Sequence, residues 1–237
     1  VEQAHESEEP VIALLDEMNL AVVEHYFSSF LSVVESRRYE SGEIVTDALP
    51  LDLPPVPEDR EEEDQFDHLR DLQIPYQLRV VGTANMDETT RRFSPKVLDR
   101  SIVIEFSNPE LARFALKGET DGFDYSPLRN QLAKPPLVEV RQVYHNNKGF
   151  FDAIAVLLED LRDQMENGGV SFAYRTRDQI LTYLWYWTIH SLEDHLSIDA
   201  AFDRCVLQCI LPKVSGAGSR TEEMLDKVHQ WLNDKRD

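Results

Sequence analysis

The sequence is short of the residues that would place it outside a reducing, aqueous compartment. Its two cysteines, Cys205 and Cys209, stand four apart in a stretch patterned as helix. With so few partners neither a disulfide framework nor a zinc site can be built, and both read as buried packing groups in a reducing cytoplasm. The seven histidines, His145, His190 and His195 among them, lack the short spacings of a zinc site. No run of about 18 apolar residues occurs, which excludes a membrane-spanning helix. No basic, apolar leader stands at the start, so secretion is not expected. Cations are outnumbered: 24 Lys and Arg face 44 Asp and Glu, a formal net charge of −20. That excludes a surface that grips DNA by displacing counterions, and any DNA contact would come through other domains.

What is present suffices for folding, since 237 residues at 42% hydrophobic content can fill one large core or two modest ones. Two subdomains are expected. Residues 11–15, VIALL, form a continuous apolar run, the pattern of a strand covered on both faces in a parallel sheet. LRVVG at 78–82 and SIVIEF at 101–106 repeat it. Between the first two runs Leu20, Val23, Phe27, Phe30, Leu31 and Val34 recur at helical spacing, and strand, helix, strand predicts an open α/β sheet over 1–106. An acidic, Pro-rich insertion over about 36–76 interrupts it with DALPLDLPPVP and EDREEED; a hairpin with a solvated acidic loop is expected.

From 107 to 237 helical periods take over, with N-caps expected at Thr176, Ser197 and Thr221 and a stop at Gly168-Gly169. Tyr183, Trp185, Tyr186 and Trp187 share one predicted helix. With Glu193 and Asp194 nearby instead of a basic groove, they read as core and not as a stacking platform for bases.

Chemistry concentrates at strand ends. Asp16 and Glu17 follow the first strand directly, where ligands bind in open α/β sheets. Such a pair can hold Mg²⁺ through water and activate an attacking water, or it can simply match a helix N-terminus with Asp16 as cap. Asn85 follows the second strand, where an amide can hold water or a phosphate oxygen, or serve as a turn residue. Arg100 precedes SIVIEF, a guanidinium available to phosphate or to Asp99. Arg91 and Arg92 offer the same choice between phosphate and solvent.

Taken together, LLDEMNLAVVEHYFSSFLSVVE, VVGTANMDETTRRFSPKVLDRSIVIEF, FAYRTRDQI and ILPKVSG resemble the AAA+ ATPases of the McrB-related group. These are nucleotide-driven subunits of modification-dependent restriction systems and their relatives. The resemblance covers essentially the whole chain and is weakest in the insertion. It implies a partial AAA+ P-loop NTPase sheet, from the Walker B strand onward, followed by an all-helical lid. In that reading Asp16 is on the Mg²⁺ side of Walker B, Glu17 is the catalytic base and Asn85 is sensor 1. Arg100 is the arginine finger, and Arg175, or else Arg177, is sensor 2. The resemblance further implies a cytoplasmic, hexameric homo-oligomer ring that hydrolyses nucleotide between subunits, with a McrC-like nuclease subunit as partner. The McrB signature MNTAD is replaced by ANMDETT, so ATP is the implied nucleotide and GTP the alternative.

No G-x-x-x-x-G-K-[ST] phosphate loop occurs in the sequence. The chain is therefore expected to be a later portion of a longer polypeptide, inactive alone, with an apolar sheet edge exposed or buried by self-association. A non-hydrolysing AAA+-like scaffold is the alternative.

Overall fold

The structure, a computed structural model, describes residues 1, 4, 7, 9–55, 66–85, 91–106, 139–192, 196–216 and 218–235. The acidic run EDREEED, the segment from Met86 to Thr90, the expected start of the helical half at 107, and Glu193, Asp194 and His195 lie outside them. The chain is mixed α/β with a small parallel sheet. Its described residues divide into two compact units, one of residues up to 97 together with Phe106 and one of residues 98–105 together with those from 139 to 235.

In the first unit β1 (Val11–Leu15) and β4 (Leu78–Gly82) pair in parallel, from Val11 opposite Leu78 to Leu15 opposite Gly82. Between them runs α1 (Val23–Glu35), whose Phe30, Val33 and Val34 pack with Ile74, Leu78, Val11, Ala13 and Val80. Burial along β1 alternates: Ile12 and Leu14 are 60% and 62% exposed. The expectation of a strand covered on both faces is thus corrected, because this core meets only the face carrying Val11 and Ala13.

The insertion does contain a hairpin, β2 (Arg38–Glu40) against β3 (Glu43–Val45). Ser41 and Gly42 turn it with φ of 54° and 90°, the left-handed pair that a two-residue hairpin loop favours. The hairpin is tied back when the buried Thr46 hydroxyl accepts from the Ile74 amide at 2.9 Å. A short helix α2 (Asp67–Arg70) precedes β4, and α3 (Pro95–Leu98) follows it.

The second unit is helical: α4 (Val140–Asn146), α5 (Lys148–Met165), α6 (Tyr174–Ile189), α7 (Ile198–Cys205) and α8 (Ser219–Asp234). Its core draws Ile154, Leu158, Leu161 and Met165 from α5, at the spacing that keeps side chains on one helix face. Ile180, Leu181, Leu184 and Trp187 of α6 join them, with Tyr183 packed alongside, so two of the four aromatics, Tyr183 and Trp187, belong to the core, while Trp185 and Tyr186 are half-buried.

Ser197 caps α7, accepting from the Ala200 amide, and Gly169 at φ 73° follows the α5 end. Two expected caps are corrected. α6 begins at Tyr174 and α8 at Ser219, so Thr176 and Thr221 lie inside the first turns. The run after Ser197 is not one helix either. α7 passes into a π-helical turn (Val206–Ile210) and a 3-10 turn (Leu211–Lys213), where Pro212 cannot donate to a helical ladder.

SIVIEF is not a strand. Its Val103 amide donates to the Gln208 carbonyl at 3.1 Å, an acceptor near a helix end, where carbonyls lack intrahelical partners. Ile102, Ile104 and Phe106 are exposed.

Candidate functional site

Asp16 and Glu17 are exposed and follow β1 directly, in a turn that the neighbouring strand holds shut. Thr83, the first residue after β4, does the holding. Its amide donates to the Leu15 carbonyl at 2.9 Å, and its carbonyl accepts from the Met18 amide at 2.8 Å. Its hydroxyl accepts from the Glu17 amide at 2.9 Å and donates to Asp16 Oδ1 at 2.5 Å. The Asp16 carboxylate is therefore oriented by a hydroxyl and is not a helix cap.

Glu17 sits at φ 51°, ψ 46°, a left-handed conformation disfavoured for a residue with a long side chain. Bonding of two successive amides to Thr83 holds it there, as local strain at functional sites is held by its surroundings. At Gly82 a Cβ would lie 2.6 Å from Met18 Sδ, so a side chain there would displace the end of the Met18 side chain.

Asn85 is two residues beyond Thr83, and Asn19, only 1% exposed, fixes the backbone around it. The Asn19 side-chain amide donates to the Asn85 carbonyl at 2.8 Å and to the Arg91 carbonyl at 3.2 Å. The Arg91 amide returns a bond to the Asn19 carbonyl at 3.4 Å. Both ends of the 85–91 segment are thus tied to the turn behind the carboxylates, while the Arg91 and Arg92 side chains are exposed. The Tyr26 hydroxyl donates to the Met18 carbonyl at 2.8 Å, so α1 anchors the same turn.

Arg100, Arg175 and Arg177 belong to the second unit. Arg100 is half-buried and follows Asp99, whose Oδ1 meets Lys213 Nζ at 2.5 Å and whose Oδ2 faces Arg175 at 3.8 Å. Arg177 is engaged differently: it pairs with Asp178 at 2.6 Å and lies over the rings of Tyr174 and Phe151. Of the two sensor candidates, Arg175 is the one beside Asp99.

The sequence reading missed Thr83, Asn19 and Lys213 as contributors. A threonine directly after a strand, and an asparagine one turn after a carboxylate pair, are weak signals. Each is also an ordinary turn residue, and only the partner 66 residues away gives it meaning.

Mg²⁺ fits the donor set of the first unit by chemistry. A hard cation prefers carboxylate oxygen and water, and Asp16 is an exposed carboxylate oriented by Thr83. Among the described residues no group of three or more His, Cys, Asp or Glu is placed to enclose a metal. A single carboxylate with substrate phosphates and water is the usual arrangement for Mg²⁺.

Residues 131–237 match a family described as a domain of unknown function (DUF8727), a match that takes in α4 to α8 and leaves the carboxylate turn outside. No curated protein and no solved structure matches the chain.

Proposed function

We propose that this chain is part of a nucleoside-triphosphatase module of the AAA+ type, of the McrB-related group, working in a DNA-defence motor. The observation that carries the reading is the carboxylate turn. Two adjacent, exposed acids end one strand of a parallel pair, and the next strand holds them through Thr83. A turn needed only to start a helix has no use for a strained glutamate or for a carboxylate steered by a distant hydroxyl.

In this reading Asp16 holds Mg²⁺ through water, and Glu17 accepts a proton from the attacking water. Bound there, the ion neutralises charge on the phosphates. Asn85 orients the water or a phosphate oxygen with an uncharged amide. Arg100 reaches the γ-phosphate bound by a neighbouring subunit of a homo-oligomeric ring, hexameric by resemblance, and Arg175 senses nucleotide from the helical unit as a lid. ATP is the favoured nucleotide, GTP the alternative. DNA is engaged through other domains, with a McrC-like nuclease as the partner acting on it, in the cytoplasm.

A second reading has one observation behind it: the sequence carries no phosphate-cradling loop. On that reading the chain is a non-hydrolysing AAA+-like scaffold. Turnover of ATP and GTP by the full-length polypeptide, with and without Glu17→Gln, separates the two. Loss of turnover in the variant supports the motor, and absence of turnover in the wild type supports the scaffold.

A further inference from the structure

Lys213 carries an ammonium group on a side chain that is only 5% exposed. A buried ammonium is stable only when its charge is paired and its donors are answered. Thr176 Oγ1, on a residue 1% exposed, accepts from it at 2.7 Å, and Asp99 Oδ1 supplies the counter-charge at 2.5 Å. Arg175 faces the other Asp99 oxygen at 3.8 Å. The residue so held is the immediate neighbour of Arg100.

The strip beyond it is fastened twice more to the same unit: Gln179 donates to the Ser101 carbonyl at 3.4 Å, and the Val103 amide donates to Gln208 at 3.1 Å. Gln208 lies in the π-helical turn Val206–Ile210. A 3-10 turn, Leu211–Lys213, follows it directly and ends on Lys213.

We propose that Lys213 is a positioning residue for Arg100. With Thr176 behind it, Lys213 fixes Asp99, and the helical unit thereby presents the Arg100 guanidinium. The clamp stands on geometry alone, whereas its catalytic consequence rests on the motor reading of Arg100.

The two parts are tested separately. Hydrogen exchange on the 237-residue chain tests the clamp: Lys213→Met speeds exchange of the amides in 101–105 about tenfold or more, leaves α5 unchanged, and Lys213→Arg restores most of the protection. Lys213→Gln, which keeps a donor for Thr176, is read in parallel in case the Met variant does not fold. Unchanged exchange at 101–105 in the folded neutral variant overturns the clamp.

Subunit mixing in the full-length polypeptide tests the consequence. Lys213→Met and Glu17→Gln proteins, each inactive alone, recover turnover when mixed, as do Arg100→Ala and Glu17→Gln. Recovery places the Lys213 defect on the side that serves a neighbour, which a general loss of structure would not do. Recovery with Arg100→Ala but not with Lys213→Met overturns the positioning role. If the wild type does not turn over nucleotide, the motor reading fails and the exchange result alone decides the clamp.

Discussion

Replacing Thr83 by valine keeps the shape of the side chain but leaves the Glu17 amide without its acceptor and Asp16 without its donor. Exposed hydrogen bonds contribute about 1 kcal/mol each, so Thr83→Val lowers unfolding stability by about 1–2 kcal/mol in urea titration. On the proposed motor reading turnover falls as well, because Glu17 loses one of the two contacts that hold its left-handed conformation, the Met18 amide bond to the Thr83 carbonyl remaining. Asn19 is more costly to change. Asn19→Asp turns two donated bonds into carboxylate oxygens facing the Asn85 and Arg91 carbonyls, and destabilises by about 2–3 kcal/mol on the same titration.

The acids themselves were legible in sequence because a carboxylate pair directly after an apolar run is unusual. Their holders were not, since a lone Thr or Asn carries no periodicity. The two cysteines behave as sequence composition suggested. Burial pushes the Cys205 thiol up to about 12 and the Cys209 thiol up to about 11. Both therefore stay protonated and resist iodoacetamide at neutral pH until the protein unfolds. Unfolded thiols ionise near 9, so these two remove stability as pH rises above that value.

At the scale of elements, α5 and α8 meet through Asp160. The Trp231 indole N–H donates to its carboxylate at 2.8 Å, Lys235 pairs with it at 3.3 Å, and Gln164 adds a third contact. These, the Trp231 bond foremost, hold the Asp160 carboxyl below its ordinary value of 3.8. A depressed carboxylate stabilises above its unfolded pKa and ceases to do so as pH falls through the folded one. Unfolding stability from urea titration therefore falls more steeply in the wild type than in Asp160→Asn as pH drops from 5 through the folded pKa; parallel profiles would contradict this.

The parallel strands were readable as apolar runs bounded by polar residues, and α1 by its spacing. SIVIEF has the same composition as those runs, and its failure to pair shows what composition omits. An apolar run states a preference for extended backbone, while the available partner decides whether a ladder forms. Here Asp99 and Val103 find partners on helices. Likewise the run after Ser197 read as one helical period, although Pro212 lies within it, and the π-helical turn before that proline left no sequence trace.

For the molecule as a whole, acids outnumber cations; Asp16, Glu17 and Asn85 lie in the first unit, and Arg100, Arg175 and Arg177 in the second. If Arg100 is the finger of the proposed motor, whose removal costs about 10³ to 10⁵ in turnover, Arg100→Ala abolishes activity in the assembled protein while nucleotide affinity changes little. Arg177→Ala, by contrast, releases Asp178 and two rings and reads out chiefly as lost stability. Among the described residues no helix is long and apolar enough to cross a membrane. The most direct test of the central claim is ATP and GTP turnover by the full-length polypeptide with Glu17 intact or changed to Gln. The account predicts measurable wild-type turnover that falls by about 10² to 10⁴ in Glu17→Gln, with nucleotide binding retained. Equal turnover in the two proteins would contradict it.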